Sequence, residues 1–515
     1  MQSNIAFPAD LFIELDRSRP RALRSQLEHG LRQAMTRGSL LPGTALPPSR
    51  VLAGELGVSR SLVVGAYEQL VIEGYLEARQ GSATRVRGGG NQDAAATEPA
   101  PPAPPPGPDG GTAQNEPAGL AQPQGSQWLR YLADVLRELP GGQDSNPESG
   151  AYWPVPLGPD GSTPRSGLPD PALFPRNQWL RHYGAVLRDL PAAGLLYPPP
   201  RGAPELRSAL AAYLGRVRGV RAAPDQIVIC GGFSQGLALL CRMLRERGVT
   251  RVAVEDPCFV FHRILIQAAG LEPVPVRVDE QGIQTALLAG LDVGAVLLSP
   301  AHSYPSGAVL SADRRVELLD WARQAGALVI EDDYDAELRY DRTPVGALQG
   351  LDPRRVVYGG TASKVLSPAL RLGWLVVPPE LSSEVIMAKL VQDYSAEALG
   401  QLTLARFIDR GDFTRHLRRV RPVYRARRDR LLAALGSHLP GMRPQGEAAG
   451  LHLLLHLPAG QDPGEVSGAA ARRGIMLEQA AWHWADPVTA PPALLIGYGS
   501  VRESDLARGI ESLGG

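Results

Sequence analysis

From Gly88 to Gly119 the chain reads GGGNQDAAATEPAPPAPPPGPDGGTAQNEPAG, almost without large apolar side chains. Such a stretch buries too little surface to offset the entropy of ordering it, so it reads as a semi-rigid linker. That one feature divides the 515 residues. It leaves a compact N-terminal unit over 1–87, a linker over 88–160, and a segment over 161–515 with β-α-β-α patterning. The last is long enough for a two-part α/β domain.

One piece of the linker is not low in complexity. QWLRYLADVLRELP (127–140) matches QWLRHYGAVLRDLP (178–191) at nine of fourteen positions. Both copies put Trp, Leu, Val and Leu on one helical face. The plain reading is a local duplication; the sharper one is that 127–140 docks where its twin docks.

The formal net charge is zero, so any nucleic-acid patch must be local. Three cysteines with no CxxC spacing fit a reducing compartment. MQSNIAFPADLFIEL lacks the basic flank and apolar core of a signal peptide, and no apolar run reaches membrane-spanning length. A cytoplasmic protein without membrane contact is expected.

Within 1–87, the run LPPSRVLAGELGVSRSLVVGAYEQLVIEGYLEARQGSATRV carries its own punctuation. Ser49 is a cap for a helix over Arg50–Leu56 that Gly57 ends. Ser59 caps a second helix from Arg60 to about Glu73, with Leu62, Val63, Ala66, Tyr67 and Leu70 as its apolar stripe. Two helices joined by a short Gly-containing turn are a helix-turn-helix, and the alternation from Tyr75 to Val86 predicts a small wing. Ser59, Arg60 and Ser61 start the second helix, where free N–H groups suit phosphate contact and base reading. The unit holds 11 Arg against 8 acidic residues, a mildly basic footprint.

In the large segment five apolar runs each break into a polar turn: DQIVIC|GGFSQG, RVAVE|DPCF, AVLLS|PAHSYPSG, ALVIE|DDYD and RVVYG|GTASK. Ligands of open parallel sheets bind beyond the strands' carboxyl ends, so five such endings predict one site. GGFSQG opens a helix expected over Leu237–Leu244, with N–H groups for a phosphate. An aspartate of DDYD can hold a heterocyclic nitrogen, Tyr334 can donate to an oxygen, and Phe259 can cover a ring. His302, Thr361 and Ser363 add donors, and Arg371 adds a fixed cation.

Lys364 completes the set. Of the 53 basic residues only Lys364 and Lys389 are lysine. Arginine stays protonated, whereas a lysine amine can deprotonate and condense with an aldehyde. An aldehyde bearing a phosphate, a pyridine nitrogen and a phenolic oxygen is pyridoxal phosphate (PLP), attached to Lys364 as a Schiff base. Lys389, in the helical run SSEVIMAKLVQDY, reads as a surface lysine.

Two other chemistries are weighed. GFSQG also fits the G-x-S-x-G elbow of a serine hydrolase with Ser234 as nucleophile and His452 or His483 as base, but no HGGG-like loop precedes it. His452 and His456 lie four apart in GLHLLLHLP; a metal pair is conceivable there, ordinary strand residues fit better, and no metal is expected.

The N-terminal unit closely resembles the GntR-type winged helix. That resemblance implies DNA contact by Arg50, Ser59, Arg60, Ser61 and the wing tip Gly81-Ser82. Residues from about 160 onward resemble the fold type I aminotransferase domain, through GLPDPALFP, RGAPELRSALAAYLGRVRGV, EDPCF, SPAHSYPSG, EDDYDAELRY and SKVLSPALRLG. The combination resembles the MocR/GabR group of transcriptional regulators. It implies a mixed, mainly parallel sheet flanked by helices, a smaller C-terminal α+β part, and a homodimer reading double-stranded operator DNA. By resemblance Lys364 is the Schiff-base lysine, and Asp332, preferred over Asp333, faces the pyridine nitrogen. Tyr334 meets the ring oxygen, Phe259 stacks where the family usually has Tyr, and Phe233 and Ser234 amides, Ser363 and Arg371 hold the phosphate.

The departures bear on the effector. Leu495 stands where aminotransferases carry the carboxylate-binding arginine, and Phe261 where GABA-responsive members carry another; Arg263 is a possible substitute. Without a bidentate clamp, amino-acid binding weakens. PLP itself is then the leading effector, with regulation of vitamin B6 synthesis. An amino acid or amine effector, or a working aminotransferase, is the alternative.

Overall fold

The structure is a computed structural model. It describes residues 23–36, 40–41, 43–78, 83–87, 166–340, 345–446, 449–473, 475 and 477–514. The linker, its repeat copy 127–140 and the wing tip Gly81-Ser82 lie outside the described residues.

The N-terminal unit packs α1 (Leu23–Thr36), α2 (Ser49–Leu56) and α3 (Arg60–Ile72) beside a two-stranded wing, β1 (Leu76–Glu77) and β2 (Arg85–Val86). Gly57 closes α2 in the left-handed region at φ 59, and the Ser59 hydroxyl accepts from Leu62 N–H at 3.3 Å. Both are local consequences of residue type. Ser49 is not the cap: Pro48 precedes the helix and Ser49 is its first residue, because Pro48 is already extended at φ −52, ψ 139. Val63, Ala66, Tyr67 and Leu70 are buried as the stripe requires, and Leu62 is half-buried.

The large unit contains an eight-stranded sheet ordered β3-β10-β9-β8-β7-β4-β5-β6. Its strands are β3 (Ile227–Cys230), β4 (Arg251–Asp256), β5 (Glu272–Asp279), β6 (Gly282–Ile283), β7 (Ala295–Leu298), β8 (Leu328–Asp333), β9 (Val356–Thr361) and β10 (Gly373–Val376). β5, β4, β7, β8 and β9 run parallel, whereas β10 is antiparallel to both β3 and β9. Two reversals cancel, so β3 points the same way as β9, and all five polar turns emerge at one edge. β3, β7, β8 and β9 are buried at every residue, as expected for a sheet covered on both faces. A four-stranded antiparallel sheet, β11 (Arg443–Gln445), β12 (His452–His456), β14 (Ala493–Gly497) and β13 (Glu478–Gln479), forms the smaller C-terminal part.

The repeat's second copy lies in α4 (Arg176–Asp189). Val186 is buried and Trp179 packs between Phe174 and Phe407, but Leu180 and Leu187 are exposed. The inward face is therefore narrower than the spacing predicts. No helix among the described residues is long and apolar enough to cross a membrane.

The two units touch. Arg87 pairs with Asp313 at 2.9 Å. The Tyr75 hydroxyl lies where a Cβ on Gly350 would come within 2.7 Å, and the Glu73 carboxyl carbon would be 3.0 Å from a Cβ on Gly346.

Candidate functional site

At the end of β3 the chain turns through Gly231 and Gly232 into α6 (Phe233–Glu246), with α5 (Pro204–Arg218) preceding the strand. The helix starts four residues earlier than expected, because Gly232 adopts φ 91 and turns the chain at once. A Cβ at Gly232 would stand 2.9 Å from the Arg371 guanidinium, so glycine permits both the conformation and the approach. Arg371 donates to the Gly231 carbonyl. At the end of β9, Thr361 Oγ1 lies 2.9 Å from Ser363 Oγ. Phe233, Ser234, Ser363 and Arg371 are thus carried by neighbouring strand ends. Phe233 folds onto β9, where a Cβ at Gly359 would meet its ring at 2.2 Å.

The two aspartates of β8 diverge, as alternate residues of a strand must. Asp333 takes a bidentate pair from Arg218 (2.7 and 3.0 Å) and a hydrogen bond from Tyr358 at 2.7 Å. Asp332 turns the other way. Its Oδ2 lies 3.5 Å from His262 Nε2, and its buried Oδ1 has no partner among the described residues. Burial, then Asp333 and Asp335, push the Asp332 carboxyl well above its usual range, with Lys364 opposing. Lys364 Nζ donates to Gly167 O at 2.8 Å. Burial lowers its pKa against the opposing pull of Asp335 and Asp332, which favours the free amine.

Phe259, 37% exposed, meets His262 edge-on with ring centres 5.4 Å apart and lies nearly parallel to His483 at 6.3 Å. His302 is buried, with Nδ1 2.9 Å from Asp335 Oδ2 and 3.0 Å from Tyr334 Oη. Tyr334 stays neutral, because burial raises its hydroxyl pKa.

Several contributors carry no local motif. His262 fills the corner between Asp332, Phe233 and Phe259, and burial pushes it down to about 3, so the ring is neutral. Its one signal is its place three residues after Phe259, one turn along α7 (Val260–Ala268). Asp335 orients His302. Ser166 and Gly167 form a strap over the site: Ser166 Oγ meets Tyr304 Oη at 3.1 Å and donates to Glu478.

Arg263 is no substitute clamp. Its guanidinium donates to the carbonyls of His483 (2.7 Å), Trp482 and Trp484 (both 2.8 Å), which occupies it. Leu495 is buried among Leu454, Ala480 and Ala493, and Phe261 packs on Phe259. Ser234 is exposed and, among the described residues, bonds no histidine. His452 is fully buried, and burial pushes it down to about 3; His456 bonds Gln445 at 2.7 Å. Among the described residues no group of three His, Cys, Asp or Glu could hold a metal ion. Lys389 is wholly buried rather than a surface lysine.

On the N-terminal unit, Arg50, Ser59, Arg60 and Ser61 are exposed together. Arg60 Nε lies 3.5 Å from Ser49 Oγ, which brings the starts of α2 and α3 side by side.

Residues 192–500 match the family model "Aminotransferase class I and II" and residues 23–86 match "Bacterial regulatory proteins, gntR family". The chain is 32% identical over 498 residues to the HTH-type pyridoxine biosynthesis transcriptional regulator PdxR of Corynebacterium glutamicum, covering 97% of this chain and 96% of the relative. It is 31% identical over 506 residues to the probable rhizopine catabolism regulatory protein MocR of Rhizobium meliloti, covering 97% and 94%. The chain belongs to the MocR-type transcriptional regulators. Among solved structures, an archaeal alanine:glyoxylate aminotransferase matches this regulator with TM-score 0.64 and 28% identity, over 68% of this chain and 89% of the other. The winged helix-turn-helix and the fold type I aminotransferase-like domain expected of this MocR-type chain are both present.

Proposed function

We propose that this regulator binds operator DNA through Arg50, Ser59, Arg60, Ser61 and the wing tip Gly81-Ser82, and senses the state of a PLP site at the strand ends. Lys364 Nζ is the point of covalent attachment. Asp332 receives the pyridine nitrogen, Phe259 covers the ring, and Tyr334 and His302 stand on its oxygen side. The amides of Phe233 and Ser234, with Thr361, Ser363 and Arg371, surround the phosphate. When bound, PLP supplies an aldehyde for amines and an electron-withdrawing ring.

The observation that carries the reading is the buried Asp332 Oδ1, which has no partner among the described residues. A carboxylate there is costly unless a cation meets it, and a protonated pyridine nitrogen is such a cation. Lys364 is the nearby amine whose lowered pKa suits condensation. The occupied Arg263 and the apolar surroundings of Leu495 leave no arginine clamp in this part of the site among the described residues. That favours PLP itself over an amino acid or amine as effector. The PdxR relative's printed role in pyridoxine biosynthesis supports regulation of vitamin B6 synthesis.

Effector state has a route to the DNA-binding unit. Arg218, bonded to Asp333 next to Asp332, also donates to Val345 O, and its carbonyl accepts from Ala347 at 2.8 Å. The same segment touches Glu73 and Tyr75. A bistable placement of that segment would let the site bias the winged helix. A homodimer is supported by a patch of exposed Leu195, Leu196, Tyr197 and Tyr394, in which Tyr197 and Tyr394 meet at 5.0 Å.

The test combines absorbance, borohydride reduction and DNA binding. A visible, borohydride-reducible band that disappears in Lys364→Ala supports the attachment. PLP-dependent promoter binding that individual amino acids do not alter supports PLP sensing. No band after PLP addition refutes the site, and steady turnover with a keto acid would favour a working aminotransferase.

A further inference from the structure

The chain's second lysine occupies a site as specific as the first. Lys389 lies on α8 (Pro379–Asp393) with its side chain 0% exposed. A buried ammonium requires a compensating partner. Its Nζ is 2.5 Å from Asp393 Oδ2, one helical turn on. The same oxygen accepts from Gln235 Nε2 at 2.7 Å, and Gln235 Oε1 accepts from Gly231 N–H at 2.6 Å. Gly231 opens the turn into α6, and Arg371 donates to its carbonyl. The contacts therefore run unbroken from Lys389 to the turn.

This chain of contacts has a direction. A glutamine amide offers an acceptor on one side and donors on the other. Asp393 Oδ2 accepts from the Gln235 NH2, which leaves Oε1 facing Gly231. Without the ammonium, the Asp393 carboxylate, whose side chain is 26% exposed, would be left uncompensated and would turn toward water and away from Gln235. Gln235 Nε2 would then lose its acceptor, and nothing would fix which end of the amide faces Gly231 N–H. The neighbouring Cys230 offers no competing anion, because burial pushes its thiol up to about 12. A compact ammonium suits this closed site better than the planar fork of a guanidinium.

We propose that Lys389 is a positioning residue for the phosphate turn. It holds the Asp393 carboxylate in place, Asp393 orients Gln235, and Gln235 fixes Gly231. This rests on the reading that the PLP phosphate lies at residues 231–234.

The test compares PLP with pyridoxal, which has the same aldehyde and no phosphate, by titration and by reduced adduct at Lys364. Lys389→Met is expected to weaken PLP binding about tenfold, the effect of one misdirected hydrogen bond, and to leave pyridoxal within about twofold. Gln235→Leu should do the same. Lys389→Met/Asp393→Asn should recover most of the PLP preference, because a neutral Asn oxygen still accepts from Gln235. The double variant also covers the case in which Lys389→Met fails to fold. Equal losses for both aldehydes, no loss, or no recovery in the double variant would overturn the relay. If the unaltered protein forms no adduct, or does not prefer PLP to pyridoxal, the phosphate reading itself fails and the relay falls with it.

Discussion

Replacing Arg218 with Met isolates the pair that backs the cofactor strand. Arg218 and Asp333 side chains are 3% and 1% exposed, so water cannot replace a lost partner. Breaking such a pair from one side costs about 3–5 kcal/mol, because an uncompensated charge remains buried. Asp333 would keep only the 2.7 Å bond from Tyr358. Arg218→Met/Asp333→Asn removes both charges and should restore all but about 1–2 kcal/mol, a coupling of at least about 2 kcal/mol in a double-mutant cycle. Urea titrations of the ligand-free proteins measure these differences. A cost below about 1 kcal/mol, or a double variant no better than the single, would refute the argument.

Three further outcomes follow from the same geometry. Gly232→Ala must adopt φ 91 and crowd Arg371 at 2.9 Å, so it should weaken PLP binding at least tenfold with the fold retained; native-like circular dichroism and unchanged PLP affinity would contradict this. Gly350→Ala would place a methyl 2.3 Å from Gly219 O and 2.7 Å from Tyr75 Oη. It should loosen the contact between the two units, seen as faster hydrogen exchange around Tyr75, and unchanged exchange would remove that contact from the account. Burial raises Glu255, Glu331 and Glu337 each to about 7. The folded pKa exceeds the unfolded one, so stability should fall between pH 6.5 and 8 by about 0.8 kcal/mol per carboxyl; a flat or rising profile would contradict this.

What the sequence determined by itself was local. The Pro- and Gly-rich stretch marks its own division because chain entropy and composition act residue by residue. Ser59 and Gly57 announce helix ends because a cap needs only its own side chain or a permissive φ. The five polar turns could be aligned on one edge, since strands followed by helical segments return in the same direction. Lys364 stood out because arginine cannot do what an amine does there.

Tertiary structure decided what depends on partners far along the chain. Alternation separates Asp332 from Asp333, but only Arg218, 115 residues away, settles which one turns toward Lys364. Arg263 looked available until the carbonyls of residues 482–484 took up its two terminal nitrogens. Gly167 reaches Lys364 across 197 residues, and Lys389 looked like a surface lysine until packing enclosed it against Asp393. Charge pairing and burial are properties of position in space, and spacing along a helix or strand reports only which face a residue is on.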